Sequence, residues 1–276
     1  MTDVQQVDCN FLLRPEFEKL MAAAKKNGRV GGQNPLAYLN SLMADPRYIT
    51  QMAELQTLGN QTGGAVVAWL GGAVAGTLVG TMLGGPIGLI GFIGMLIDGN
   101  RSARIIVVND TQSDLVIDDT HLERGERFAE PRFGKQQGYI PRRLDAVPDP
   151  SDSSKNLIDA SVWYGCLGYQ KATTLGIGFY GTSGGVHFRA RSSHVAPKGL
   201  SIGWLDPENG KNNCAVSVNR GAKDLFDKFI DVGTRRSTDG STNSASGVKV
   251  YCAMESLNDN PNDMHLLVVL TDSTSW

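Results

Sequence analysis

The residues of this 276-residue chain that could make bonds or hold metals are four histidines, four cysteines, a group of aspartates and one serine set among glycines. Their spacing does not suit that chemistry. His121, His187, His194 and His265 form no HxH or HExxH pattern. Cys9, Cys166, Cys214 and Cys252 are widely separated with no CxxC, which fits neither a zinc site nor a disulfide framework. Asp110, Asp114, Asp118 and Asp119 lack the register and closing glutamate of a calcium loop, so turn chemistry is expected of them. The serine of Gly181-Thr-Ser-Gly-Gly185 has no strand-turn-helix setting for a nucleophile, and a β-turn is expected there. No catalytic set, metal or cofactor is expected, and the chain is read as a non-enzyme.

A different chemistry is written in residues 63–99. From Leu55 to Ile97 there is no Asp, Glu, Lys or Arg, a run of 43 residues. Inside it small residues recur every fourth position: Gly64, Ala68, Gly72, Gly76, Gly80, Gly84 and Gly88. On a helix, positions four apart stack nearly above one another. The stripe so formed lets helix backbones approach closely, which is what associates helices in lipid.

Length sets the geometry. Gly64–Leu83 makes about 30 Å of helix, matching a hydrocarbon core of about 30 Å. Gly84, Gly85 and Pro86 form a natural helix break, and Ile87–Ile97 is too short to span untilted. A hairpin with a full first arm and a shallow second arm is expected; one long bent helix is the alternative. In water each interior glycine costs a helix roughly 0.8–1 kcal/mol relative to alanine. The segment therefore gains most when helices pack side by side, which suits conditional insertion. A permanent anchor and a buried core hairpin are the other readings.

These residues need elements to carry them. Residues 1–62 hold equal numbers of acids and bases, and helices are expected over Pro15–Lys26, Pro35–Met43 and Pro46–Leu58. Residues 100–276 carry short runs rich in β-branched and aromatic residues, divided by Asn, Asp, Gly and Ser. Strands are expected at Arg104–Val108, Leu115–Ile117, Ala160–Tyr169, Thr174–Tyr180, Val186–Arg191, Leu200–Trp204, Ala215–Val218, Val248–Met254 and His265–Leu270. One helix is expected at Ala222–Ile230, and polar loops at 148–154 and 237–246. The expected class is α+β. Residues 1–62 form an N-terminal amphipathic helical region shielding the Gly-rich apolar helix or helical hairpin of residues 63–99. An antiparallel β-sandwich over 100–276 follows and binds the membrane or receptor.

The net charge of −2 gives no field for nucleic acid, so no nucleic-acid partner is expected. The start, MTDVQQVDCNF, has neither the basic nor the apolar region of a signal peptide. Secretion without a signal peptide, or cytoplasmic storage followed by release, is expected, with action at a target-cell membrane.

The stretch Arg101–Ile117, RSARIIVVNDTQSDLVI, resembles the entry into the β-sandwich of the actinoporin-like cytolysins. Ser161–Tyr169, followed by Thr174-Leu-Gly-Ile-Gly-Phe179, resembles that family's paired central strands, and the likeness covers residues 100–205. The resemblance implies a protein that docks through its sandwich, inserts a helical segment and oligomerises into a pore. The chain departs from the family in its longer N-terminal part and in the few aromatics that follow Phe179, so no headgroup residues are carried over.

Two further groups are contact candidates. Trp163, Tyr164, Tyr180 and Trp204 could form an interfacial aromatic cluster, or core. Arg189 and Arg191 alternate on one strand face. Residues 124–143 carry six basic residues against two acids, either a strip for anionic lipid or a solvated loop of ordinary ion pairs. The function expected is a pore-forming toxin or effector whose partners are membrane lipid or surface glycan and further copies of itself. A membrane-anchored carbohydrate- or lipid-binding adhesin is the alternative.

Overall fold

Ile105, Ile106, Val107 and Val108 suit a pleated strand because their branched side chains pack against its neighbours. In the computed structural model they belong to β3 (Ser102–Asp110), a strand inside the larger of two sheets whose nine residues are all buried. The structure describes residues 3–26, 28–42, 102–172, 181–191, 199–207, 212–230, 242–243, 247–256 and 263–272.

The larger sheet runs in the order β1 (Gln5–Asp8), β5 (Glu126–Phe133), β10 (Ser161–Gln170), β3, β16 (Asp263–Thr271), β15 (Val248–Ser256) and β14 (Thr242–Asn243). β2 (Asn10–Leu13) pairs with β10, and β6 (Gln136–Gln137) with β5. The second sheet is β13 (Asn213–Ser217), β12 (Leu200–Asp206), β11 (Thr182–Ala190), β4 (Leu115–Arg124) and β7 (Tyr139–Ile140). β8 (Val147–Asp149) and β9 (Asp152–Ile158) form a separate hairpin. Pairing is antiparallel except for β1 with β5 and β16 with β3. Between the sheets the Tyr169 and Trp204 rings stack at 4.0 Å.

Helices lie outside both sheets. α1 (Arg14–Lys26) has Pro15 and Glu16 in its first turn and Lys25 and Lys26 in its last, in keeping with the helix dipole. The Gly28 amide caps it by donating to the Ala23 carbonyl at 2.8 Å. Phe17, Leu20 and Met21 are buried, and α1 packs on β2, β10 and β15. α2 (Pro35–Leu42) is capped by Asn34, whose Oδ1 accepts from the Ala37 amide at 2.6 Å. α3 (Ala222–Leu225) continues as a π-helical turn over Phe226–Ile230 and packs on β11, β12 and β4.

The strand expectations hold for the runs over β3, β4, β10, β11, β12, β13, β15 and β16, while Thr174–Tyr180 lies outside the described residues. The helices expected over Pro15–Lys26 and Pro35–Met43 are α1 and α2, but the N-terminal part also holds strands that the expectation lacked: residues 5–13 form two strands of the larger sheet, ahead of α1. The reason is an edge. β5 reaches only Gly168–Gln170 of β10, which leaves Ser161–Tyr164 in need of hydrogen-bond partners, and Leu13–Asn10 supplies them. The expected loop at 148–154 is largely the β8–β9 hairpin, and residues 124–143 hold three strands rather than a basic loop. Pro46–Leu58 and the apolar segment lie outside the described residues.

Gly125 is the corner where the chain passes from β4 in the second sheet to β5 in the first. Its φ is +98°, and a Cβ there would sit 2.5 Å from the Gln170 carbonyl oxygen. Gly125→Ala is therefore expected to cost about 2–3 kcal/mol through strain and forced displacement. A urea titration by circular dichroism measures it; an unchanged midpoint would show that the corner relaxes freely.

Candidate functional site

A row of polar residues crosses the second sheet. Cross-strand register sets Ser217 opposite Ser201, Ser201 opposite His187, and His187 opposite Asp119, so the four residues line one row across β13, β12, β11 and β4. Register slips on β4 beside this row, between the residues facing His187 and Phe188, and the extra residue there is Asp118. Arg189 Nε lies 3.5 Å from Asp118 Oδ1, and its side chain is 59% exposed.

Serine, histidine and aspartate in a row are the residue types of a nucleophile, its base and an orienting acid. The geometry assigns them otherwise. The Ser201 hydroxyl is fully buried and donates its proton to the Arg220 carbonyl. The His187 contact, Nδ1 to Ser201 Oγ at 2.8 Å, is then a bond donated by the ring. Ser201 has no base to activate it and serves to orient the imidazole. Burial pulls the His187 pKa below its ordinary value, against Asp118 and Asp119, which raise it. Ser183, of the Gly181–Gly185 stretch, is a buried strand residue of β11 instead of a turn residue. The glycines there serve packing: a Cβ at Gly185 would meet the Ala222 carbonyl oxygen of α3 at 2.6 Å.

A second group stands where β11 ends. The Arg191 guanidinium lies over the Tyr139 ring, 5.6 Å from its centroid, and the Arg191 amide donates to the Asp114 carbonyl at 2.9 Å. Asp114 Oδ1 accepts from the Arg142 amide at 3.0 Å. Burial and then the charge of Asp114 push the Tyr139 hydroxyl well above its ordinary pKa, which keeps it protonated. Arg189 and Arg191 are thus placed on the exposed surface.

Trp163, Tyr164 and Trp204 are a correction. They are 1%, 1% and 0% exposed and cannot touch a ligand as placed. Trp163 meets Phe133 edge-on at 5.0 Å and Phe11 at 5.7 Å, while Trp204 stacks on Tyr169. Strand β10 is covered on both faces, which denies its aromatics a wet side. Tyr180 and the whole stripe Gly64, Ala68, Gly72, Gly76, Gly80, Gly84 and Gly88, with Gly85 and Pro86, lie outside the described residues.

Much of the basic strip is neutralised. Arg127 pairs with Glu130 at 2.8 Å, Arg132 with Asp8 at 2.8 Å, and Arg143 with Asp272. Asp110 is wholly buried; its Oδ1 lies 2.5 Å from Arg14 Nη1 and its Oδ2 accepts from the Thr271 hydroxyl at 2.7 Å. Sequence reasoning missed this clasp, because its members come from positions 14, 110, 143, 271 and 272. Among the described residues no three His, Cys, Asp or Glu stand close enough to share a metal ion. No helix among them is long and apolar enough to cross a membrane. Leu122, on β4, is the one large apolar side chain among them that is exposed.

No protein-family model matches the chain, and no curated protein matches it. Among solved structures it is similar to the lipid-binding protein Nakanori, at 14% identity and a TM-score of 0.41 over 66% of this chain and 76% of that one. It is similar to the lectin XCL of Xerocomus chrysenteron at 13% identity and a TM-score of 0.34, over 62% and 98% of the two chains. It is also similar to IP-1A from Alcaligenes faecalis at 12% identity and a TM-score of 0.29, over 62% and 91%.

Proposed function

We propose that this chain is a pore-forming protein. Its β-sandwich docks on a target membrane, the apolar segment of residues 63–97 then enters the bilayer, and copies pair through the Gly64–Gly88 stripe. The observation that carries the reading is the charge-free run of 43 residues with small residues at every fourth position of its core. Such a run suits lipid and close helix packing, and poorly suits a solitary helix in water.

The fold adds a topological argument. α2 ends at Leu42 and packs against α1, which rests on β2, β10 and β15. β3 begins at Ser102 between β10 and β16. The described chain on either side of the segment, up to Leu42 and from Ser102, is thus built onto one sheet. A segment held this way returns to the side of the bilayer it left, unless the sheet itself comes apart. This favours the hairpin, with Gly64–Leu83 as the full arm, Gly85 and Pro86 at the bend and Ile87–Ile97 as the shallow return. Exposing the segment to water before docking would cost about 25 cal/mol for each Å² of apolar surface, so insertion follows docking.

The docking contact is assigned to a lipid headgroup or surface glycan, with Arg189 and Arg191 on the presented face. No catalytic step is assigned. The test is dye release. Detergent-free protein is added to dye-loaded vesicles of choline lipids, with and without anionic lipid or glycolipid. Leakage, with recovery of a vesicle-bound oligomer, is expected on at least one composition. Binding without leakage on every composition would overturn pore formation and favour an adhesin. A chain that leaves its own membrane only with detergent would favour a permanent anchor.

A further inference from the structure

The two sheets approach closely where β13 and β15 face each other. Packed sheets ordinarily stand about 10 Å apart, yet Cα atoms of these two strands come within 8 Å. At this approach the thiols of Cys214 and Cys252 meet, with 3.5 Å between their sulfurs. Both residues are buried, at 0% and 2% exposure. Cys214 stands opposite Trp204 on β12 and Cys252 opposite Val268 on β16, so the pair sits in the apolar interior.

We propose that Cys214 and Cys252 are a disulfide-forming pair that staples one sheet to the other when the protein folds under oxidising conditions. The contact supplies what such a bond needs. The sulfurs stand 3.5 Å apart and must close to about 2 Å, within the reach of side-chain rotation. The oxidant is a small-molecule disulfide. One cysteine thiolate attacks it, forming a mixed disulfide and expelling one small thiolate. The second cysteine thiolate attacks the protein-bound sulfur and expels the other. Two protein S–H bonds are exchanged for one S–S bond, and the small disulfide leaves as two thiols carrying both protons and both electrons.

Burial sets when this happens. The hydrogen bond shared with Cys214 and then the apolar surroundings push the Cys252 thiol well above its ordinary pKa. Thiolate is scarce in the folded protein and reagents are excluded, so the bond forms during folding and is then protected. The pair is 38 residues apart in sequence, so closing it removes many conformations from the unfolded chain. The inference is independent of pore formation.

The full chain is refolded in a mixture of reduced and oxidised glutathione, and in parallel under excess reductant. In the oxidised sample two of the four thiols are expected to react in denaturant, the mass to fall by about 2 Da, and a tryptic map to join the Cys214 and Cys252 peptides. Its thermal midpoint is expected about 5–10 °C above that of the reduced sample. With Cys9→Ala and Cys166→Ala together the mass change and the joined peptides persist and no thiol reacts in denaturant, whereas Cys252→Ala abolishes the bond. Four reactive thiols in an oxidatively refolded chain with native circular dichroism would overturn the proposal, as would a map joining Cys9 to Cys166. Both readouts come from the wild-type chain, so they stand even if a variant does not fold.

Discussion

Replacing Gly76 and Gly80 together by leucine is expected to abolish dye release, by at least about tenfold, while vesicle binding stays at the wild-type level. The two competing effects have opposite signs. Leucine is the better helix former by nearly 1 kcal/mol per site, and it is more apolar. If insertion alone emptied the vesicles, the variant would leak as well as the parent or better. Only the need for two backbones to approach along the small-residue stripe makes leucine harmful, because its side chain stands where the facing helix must lie. A tenfold loss corresponds to about 1.4 kcal/mol. Leakage equal to that of the parent would remove the stripe from the mechanism and leave docking untouched.

Arg14→Ala is expected to cost about 3 kcal/mol of folding stability at neutral pH. Asp110 has no exposed surface, and Arg14 is its nearest counter-charge at 2.5 Å; Arg143 Nη1 stands farther off, at 3.8 Å. Removing one member of a buried pair strands the other charge in a medium that solvates it poorly, which typically costs 3–5 kcal/mol. Arg14 also pairs with Glu18 at 3.3 Å, but that contact is on the surface, so Glu18→Ala should cost less than about 0.5 kcal/mol. The pH dependence separates the two. Burial pushes the Asp110 carboxyl above its ordinary value, while Thr271 and Arg14 pull it back. A raised carboxyl contributes stability below the unfolded pKa of about 3.9 and loses it as pH rises through the folded value. Without Arg14 the folded value climbs further. The deficit of the variant should therefore be small in acid and grow toward neutral pH in urea titrations. A deficit below about 1 kcal/mol at pH 7, or one that does not change with pH, would show that the pair is not a buried charge contact.

What the residues disclosed in advance follows from where their signal lies. β3, β10, β12 and β16 are legible because branched and aromatic residues run together in each. β5, Glu126–Phe133, is illegible because its charges look solvated: Arg127, Glu130 and Arg132 satisfy one another or Asp8, and Pro131 weakens the pattern further. β1 and β2 are only four residues each, and nothing local says that β10 has an open edge for one of them. The same blindness left Trp163, Tyr164 and Trp204 open between an interfacial cluster and the core. Alternation shows that a strand has two faces, while the helix that covers the second face of β10 comes from residues 14–26. The pairing of Cys214 with Cys252 and the Arg14–Asp110 contact are likewise products of topology. The small-residue stripe is read from contiguous sequence alone, and it lies outside the described residues.

The order in which the chain is made has its own consequence. Strands β1 and β2 find their partners only in β5 and β10, more than a hundred positions later. A ribosome therefore releases the first forty residues, and then the whole charge-free run, before the chain that completes their sheet exists. Non-local pairing of this kind is slow to form and leaves sticky surface open meanwhile. A cell that synthesises this protein therefore carries the charge-free run, for a time, on a chain whose larger sheet cannot yet be complete.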